Sequence, residues 1–419
     1  MISLECFIGS SAGFRALSNI FHILRNWISA IATPAASTIR QWFLKLGLYK
    51  LIQPKHSENG WFLIVDTSIQ MGSQKCVVVL GVRTSDLDSN FCPTLEQVET
   101  LVVKPLESTP GDVIHEILEE ATMKIAGQTI HAIISDEGSE NKMGGRLFCK
   151  HHAGIIHLHD ISHLINNLLK KELGKDPVWA SFKEDATNSM QILKHSSLAY
   201  LVPPRQRSKA RMHSAFNLIK WGKRLLEYIN SKEANNLKDK GINKVEWIKK
   251  YSNAFQKYLA LEDLCKMALE LVHQRGYFKG MTEEFKNLAK QSGSSRIVRS
   301  FYSRILDMLR SIESKISTSM SYLGSSEVLE SLFGKFKALE DHHASSGLTS
   351  LILSIPGLTG KMNRCTVENA MMSISTLDIT NWINDNLGKT FLSKRIQTLK
   401  FSEIHEKDSN ENQKRLRFA

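Results

Sequence analysis

The spacing of hydrophobic positions changes along the chain from helical to strand-like and back. Residues 11–30 and 37–46 carry apolar side chains three or four positions apart, which predicts two helices separated by a break at Thr33 and Pro34. From Trp61 onward, apolar residues stand in short continuous runs that are typical of buried strands. These runs cover residues 61–66, 75–82, 101–103, 131–136 and 154–160, and helical spacing returns over 111–126. The pattern predicts the order β-β-β-α-β-α-β.

Three of the predicted strands run directly into an aspartate. These residues are Asp66, Asp136 and Asp160. In open α/β sheets, ligands bind beyond the carboxyl ends of the strands, so one sheet edge could gather all three carboxylates. Such an oxygen-rich site suits Mg²⁺.

Residues beyond 176 contain little that predicts strand until the chain approaches its last helix at 325–340. We therefore expect an all-helical insertion that interrupts a mixed α/β domain. The expected segments are 1–50 (helical), 51–175 (first part of the sheet domain), 176–320 (helical insertion), 321–375 (C-terminal helices of the sheet domain) and 376–419 (polar tail).

The first two helices resemble a helix-turn-helix. Ser37 offers an N-cap, and the apolar stripe that follows leaves Arg40 and Lys45 on the outer face, where they could contact DNA. An ordinary αα-hairpin is the alternative. Because the chain opens almost directly into this pair, we expect a longer N-terminal DNA-binding domain to be missing.

Charge is distributed unevenly over the 419 residues. The chain as a whole carries +12, residues 51–169 carry −7, and residues 170–320 carry +14. Clustered positive charge is typical of proteins that bind polyanions, although lysine-rich helices can also be ordinary solvated surfaces. The six cysteines stand at no CxxC spacing, which predicts reduced thiols in a cytoplasmic protein. No uninterrupted apolar stretch is long enough for a transmembrane helix.

Asp66, Asp136 and a helix late in the chain, at 324–337, resemble the corresponding parts of the DDE transposases that have an RNase H-like catalytic domain. Asp66 ends the first strand, Asp136 ends the fourth within Ser-Asp-Glu-Gly-Ser-Glu, and Glu330 lies in the late helix. The resemblance covers roughly residues 60–170 and 320–345. The wide spacing before Glu330 is similar to that of bacterial transposases with an all-helical insertion, so the expected fold is an RNase H-like mixed sheet interrupted by that insertion and preceded by the helix-turn-helix.

The resemblance implies metal-dependent cleavage and strand transfer at transposon ends. Two Mg²⁺ ions, or Mn²⁺ in their place, would activate the attacking hydroxyl and stabilise the departing oxygen. Asp66 would bridge both ions, while Asp136 and Glu330 would each hold one; Glu327, one turn earlier, is the alternative third carboxylate. The expected partner is double-stranded DNA, bound by a homodimer in the bacterial cytoplasm near the nucleoid, with no membrane association.

The segment from Asp160 to His163 adds a second similarity, to hAT-type and Mutator-like transposases. These carry a Cys or Asp three residues before a His just after this strand, and His163 could contact a phosphate or a flipped base. The alternative is a histidine satisfied by the neighbouring carboxylate. The motif around Glu330 departs from the bacterial pattern, because Leu323 and Ser326 stand where Tyr and Arg are expected.

Basic residues outside the predicted sheet supply the expected phosphate contacts. They are Arg205, Arg207, Lys209 and Arg211 in the loop after Pro203 and Pro204, and Lys337 in the late helix. Cysteine and histidine crowd residues 149–163, but no second pair stands at ligand spacing, so these residues alone do not favour a structural zinc site. A DNA-binding protein derived from such an element, and a related nuclease without strand transfer, remain alternative functions.

Overall fold

The structure is a computed structural model that describes residues 1–10, 12–29, 31–71, 74–87, 90–206, 211–231, 242–290, 295–340, 349–387, 396 and 398–399, with side chains omitted at 68–71, 74, 211 and 242. The chain divides into two compact units. Unit 1 comprises Met1–Asp88, Cys92–Leu158 and Ser326–Ala419, and unit 2 comprises Ser89–Phe91 and His159–Ser325. The N-terminal helices therefore belong to the same unit as the sheet rather than to a module of their own.

The sheet has five strands in the spatial order β3-β2-β1-β4-β5. Their bounds are β1 Trp61–Met71, β2 Gln74–Arg83, β3 Val98–Leu106, β4 Ile130–Ser135 and β5 Ile156–His159. The first three strands pair antiparallel and β1 pairs parallel with β4, so the sheet is mixed. The predicted order β-β-β-α-β-α-β is confirmed.

Helices precede the sheet in the chain, connect its later strands and make up most of the insertion. The first five are α1 Ile2–Gly9, α2 Phe14–Arg25, α3 Ala36–Ile52, α4 Gly111–Lys124 and α5 Ser139–His151. Unit 2 contributes α6 Ile161–Leu173, α7 Pro177–Lys194, α8 Arg211–Ile229, α9 Ser252–Arg275, α10 Met281–Leu288 and α11 Arg296–Glu313. The chain then returns to unit 1 with α12 Glu327–Glu340, α13 Ser354–Gly357, α14 Arg364–Ser373 and α15 Thr376–Leu387.

Two strands run further than their sequence patterns predicted. β1 does not end at Asp66 but continues to Met71, with a register shift between Asp66 and Ile69 where it pairs with β2. β3 includes Pro105, which the pattern placed beyond the strand. A proline has no N–H to donate, and β3 tolerates it because this strand lies at the edge of the sheet.

The main core of unit 1 lies between one face of the sheet and helices α4 and α5. Alternate β1 residues such as Leu63 and Val65 pack there with Ile117 of α4 and Phe148 of α5, all fully buried. The other alternate positions, Phe62 and Ile64, are buried as well. Both faces of the sheet are covered, and the strands accordingly read as continuous apolar runs.

The α2 and α3 pair differs from the predicted helix-turn-helix. Residues 26–35 connect the two helices, in place of the three- or four-residue turn of that motif. All residues of α3 except Ser37 and Ile52 are buried or half-buried, since the helix packs on α2, α13, α14 and β3. Arg40 is half-buried and donates to the Ser350 hydroxyl, and burial lowers its pKa. An αα-pair built into unit 1, the alternative interpretation, fits these contacts better than a helix free to enter a DNA groove.

The insertion is helical, as predicted. Between residues 176 and 320, the described residues form helices joined by turns and loops, and a single β-bridge joins Tyr277 to Tyr322 just beyond this range. Asp176 shows how a helix begins here: its Oδ1 accepts from the Val178 N–H at 3.0 Å and caps α7, while its Oδ2 accepts from the Tyr258 hydroxyl at 2.9 Å. The predicted C-terminal tail starts with a further helix, α15, and residues 401–419 lie outside the described part of the chain.

A partly buried ion-pair network connects β3 to the neighbouring segments, and it predicts a pH dependence. Glu99 contacts the Lys55 Nζ at 3.0 Å and the Arg83 Nη2 at 3.2 Å. Burial on its own raises the pKa of Glu99, but the two cations outweigh it and the pKa lies below its ordinary value. Such a carboxylate stabilises the fold above its unfolded pKa, about 4.3, and the stabilisation disappears as the pH falls through the folded value.

We therefore expect Glu99→Gln to lower the free energy of unfolding at pH 7 by about 2 kcal/mol, because hydrogen bonds to charged groups are lost. The difference from wild type should shrink as the pH falls below about 4. Urea unfolding at a series of pH values measures this. Glu116→Gln, at an exposed position on α4, is the control and should change little. A Glu99→Gln deficit that does not vary with pH would contradict the proposed charge interaction.

Candidate active site

The parallel pairing of β1 with β4 brings Asp66 and Asp136 to neighbouring positions. The last residues paired between the two strands are Val65 and Ser135, so each aspartate stands one residue beyond the same pair. Adjacent strands lie about 4.8 Å apart, and equivalent positions on parallel strands share a face. Both aspartates are half-buried, and strand alternation assigns them to the face opposite the α4 core, with Phe62 and Ile64.

Asp136 is held in place by the loop that leads into α5. Its Oδ1 accepts from the Gly138 N–H at 3.0 Å and from the Asn141 side-chain amide at 2.7 Å. Asn141 is buried, and its own Oδ1 has no hydrogen-bond partner among the described residues. Sequence reasoning missed Asn141, although its position five residues after the aspartate, in the first turn of a helix, is a usable signal. Asn141 orients one carboxylate oxygen of Asp136.

A second contact fixes the backbone next to Asp136. The Ser135 hydroxyl donates to the Asp136 carbonyl oxygen at 2.9 Å and lies 2.9 Å from the His157 Nε2 on β5. With its proton given to the carbonyl, the hydroxyl accepts from the imidazole. Gly145 leaves room for that ring, since a Cβ there would lie 2.5 Å from the His157 Cε1. His157, part of the cysteine- and histidine-rich stretch, thus supports the end of β4.

The third predicted carboxylate lies on a helix that packs against β1. Glu330 and Glu327 both occupy the first turn of α12, both are exposed, and α12 contacts β1. Asp66, Asp136 and Glu330 are not among the groups of three described side chains whose ligand atoms all lie within 4.8 Å of one another. The fold thus brings the two aspartates together directly and places the glutamates on an adjoining element.

Asp160 and His163 contact each other at the start of α6. The buried Asp160 carboxylate caps the helix: its Oδ1 accepts from the His163 N–H at 2.8 Å and lies 3.2 Å from the His163 Nδ1. Within unit 2, the Tyr277 hydroxyl donates to the His159 carbonyl oxygen at 2.8 Å. Burial, and then the Asp160 charge, raise the pKa of Tyr277, which keeps this donor neutral. The contact of His163 with its neighbouring carboxylate is the arrangement expected of a satisfied histidine.

Two substitutions can distinguish whether Asp160 stabilises α6 by capping its backbone or by its negative charge. Asp160→Ala should lower the free energy of unfolding by about 1–2 kcal/mol, since the helix loses its N-cap, whereas Asp160→Asn keeps an acceptor and should lose much less. Thermal or urea unfolding of both variants measures the difference. Equal losses in the two variants would show that the charge, rather than the cap, stabilises this end of α6.

The predicted phosphate contacts fall into three groups. Arg205 and Lys337 are exposed and available to a polyanion. Arg40 and Lys45 on α3 are half-buried, so they are less available to a polyanion than the sequence predicted. Arg207 and Lys209 lie outside the described residues, and so does the side chain of Arg211, whose backbone begins α8.

No protein-family model matches the chain, and no curated protein matches it. Among the described helices, none combines the length and the apolar character that crossing a membrane requires.

Proposed function

We propose that this chain is a DDE-type DNA transposase that cleaves DNA and transfers strands at transposon ends, using divalent metal ions. The observation that carries the proposal is the β1/β4 register, in which Asp66 and Asp136 each follow the last residue pair of the two parallel strands. The resemblance to RNase H-like transposases rests on these two residues together with Glu330. The observed order of elements, β-β-β-α-β-α-β, is the order predicted from the sequence.

The two aspartates fit Mg²⁺. Carboxylate oxygens are the ligands that this hard cation prefers, and two half-buried carboxylates at adjacent positions repel each other less when a cation lies between them. When bound, the ions would supply Lewis-acid activation of a phosphodiester. The protein's own part is positional: Asn141 and the Gly138 N–H fix one oxygen of Asp136. The first turn of α12 offers Glu330, or Glu327, as a further ligand.

Charge segregation supports DNA as the substrate. Residues 51–169, which carry both aspartates, have a net charge of −7, and residues 170–320 have +14. An acidic region that is followed along the chain by a basic helical one suits a protein that binds both metal ions and a polyanion. Binding that rests on phosphate contacts weakens steeply with salt, so mutation of Arg205 or Lys337 should weaken DNA binding across sequences and flatten its salt dependence.

A catalytically inactive, transposase-derived DNA-binding protein is the second candidate. Glu327 and Glu330 are both exposed, whereas the two aspartates are half-buried, and this difference favours the second candidate. The departures at Leu323 and Ser326 from the bacterial motif point the same way.

The test is a cleavage and joining assay on labelled duplexes that carry the sequences flanking the chain's own coding region, with a circular plasmid as target. A transposase nicks or cuts the duplex in Mg²⁺ or Mn²⁺ and joins the 3′ end to the plasmid. Cleavage without joined product would indicate a nuclease of the same architecture. Salt-sensitive binding without cleavage in either metal would support the DNA-binding alternative and overturn the enzymatic proposal.

A further inference from the structure

Helices α4 and α5 bring two imidazoles and a carboxylate together, away from the aspartate pair. His115 and Glu119 stand one turn apart on α4, and His151 is the last residue of α5. One ligand atom from each of the three lies within 4.8 Å of the other two. The His115 Nε2 and the His151 Nδ1 are 3.0 Å apart. Two histidines and a glutamate form a donor set that proteins use for zinc.

Close packing of the two helices creates this meeting. Gly144 on α5 faces α4, where a Cβ would lie 2.5 Å from the Ile114 Cγ2 and 2.9 Å from the Gly111 carbonyl oxygen. Only a residue without a side chain allows this approach. One residue after Ile114, the His115 ring packs against the His151 ring, with 4.8 Å between the ring centroids. The juxtaposition is therefore set by the backbones of two packed helices and not only by the rotamers of exposed side chains.

The gap between the two imidazole nitrogens suits a tetrahedral transition-metal ion, and the Glu119 Oε1 lies 3.7 Å from the His115 Nδ1, the other nitrogen of that ring. Zinc bonds to histidine nitrogen of 2.0–2.1 Å separate neighbouring ligand atoms by about 3.4 Å, close to the gap between the two imidazole nitrogens. Residues spaced four apart share one face of a helix, so His115 and Glu119 can serve the same ion. A hydrogen bond between the two imidazoles uses one lone pair, whereas an ion would use a lone pair from each.

Neighbouring side chains orient the carboxylate and leave an approach from solvent. The His152 Nε2 lies 2.7 Å from the Glu119 Oε1, and the His152 ring stacks on the buried Phe148 with 4.3 Å between ring centroids. Such outer contacts fix metal ligands in their binding orientation. The side chain of Glu119 is 32% exposed, so an ion can enter and a water molecule can complete the coordination.

We propose that His115, Glu119 and His151 bind a divalent transition-metal ion, with Zn²⁺ the best match, which clips α4 to α5. Imidazole nitrogens select such an ion over Mg²⁺. The 13 residues of α5 separate His151 from the Asp136 end of the sheet by about 20 Å, so this site is distinct from the aspartate pair and does not depend on the proposed function.

The test uses the full chain without an affinity tag, titrated with ZnCl₂ in a calorimeter and with CoCl₂ while the visible absorption of bound Co²⁺ is recorded. We expect one equivalent of Zn²⁺ to bind and to raise the melting temperature. His115→Ala/His151→Ala should weaken binding at least about 10-fold. His22→Ala/His56→Ala removes two exposed histidines of the same unit and is the matched control, which should bind as wild type does.

Glu119→Gln keeps the hydrogen bond with His152 but removes the charged ligand, so it should weaken Zn²⁺ binding. This variant tests the proposal if His115→Ala/His151→Ala fails to fold. Circular dichroism reports whether each variant is folded. The proposal is overturned if wild type binds no Zn²⁺ at micromolar concentration, or if folded Glu119→Gln and the double variant bind as tightly as the control. It is also overturned if Asp136→Asn abolishes the same equivalent, since the ion would then bind at the aspartates.

Discussion

Asp136→Asn is expected to abolish Mg²⁺-dependent DNA cleavage, by at least about 10³-fold, while DNA binding stays near the wild-type level. The substitution keeps the size of the side chain and an oxygen that can accept from Gly138 and Asn141, but it removes the negative charge that a metal ion requires. Losing a ligand of a catalytic ion forfeits several kcal/mol of transition-state stabilisation, and each 1.36 kcal/mol is a factor of ten in rate. Asp66→Asn should behave in the same way.

The measurement is the initial rate of cleavage on the labelled duplex, with binding followed separately by gel shift. Asp112→Asn, at an exposed position in the first turn of α4, is the matched control and should cleave as wild type does. Neither aspartate variant should lose stability, since each removes one of two neighbouring like charges. If both variants cleave at the wild-type rate, the β1/β4 edge is not the active site, whatever the protein does to DNA.

The second large effect is on stability, at the contact between α3 and the segment before α13. Gly47→Ala would place a Cβ 1.8 Å from the Leu353 carbonyl oxygen and 2.9 Å from its carbon. These are backbone atoms, so the clash cannot be relieved by turning a side chain, and the buried α3 would have to move. We expect a loss of about 3 kcal/mol or more in the free energy of unfolding.

Gly334→Ala is the control for this prediction. Gly334 lies in α12, and a Cβ there would meet no atom within 4 Å, so alanine should stabilise the helix by about 0.5–1 kcal/mol. Urea unfolding followed by circular dichroism compares the two variants. A Gly47→Ala loss below about 1 kcal/mol would mean that α3 and residue 353 are not in the close contact described.

Local patterns predicted the elements well. The continuous apolar runs before Asp66 and Asp136 predicted buried strands, and the change to helical spacing at 111–126 predicted α4, because burial on both faces and the 3.6-residue period leave direct marks on the sequence. Boundaries were less accurate. Pro105 and the residues after Asp66 belong to strands because an edge position and a register shift accommodate them, and both are properties of the assembled sheet.

The helix-turn-helix prediction shows why an exposed face cannot be read from one helix alone. The positions of Arg40 and Lys45 relative to the apolar stripe are correct, but α13 and α14, more than 300 residues later in the chain, cover much of α3. Spacing within one helix carries no record of elements that pack on it from the far end of the chain.

The sequence pattern alone indicates which segments are strands or helices, that the apolar runs of β1 and β4 each end at an aspartate, and that the helical insertion is basic. Only the tertiary structure decided that Asp66 and Asp136 are neighbours in register, that Asn141 orients one of them, and that His115 and His151 meet. Periodicity and composition describe a single helix or strand at a time. The contacts between elements depend instead on strand register and on the close approach of two helices that Gly144 allows.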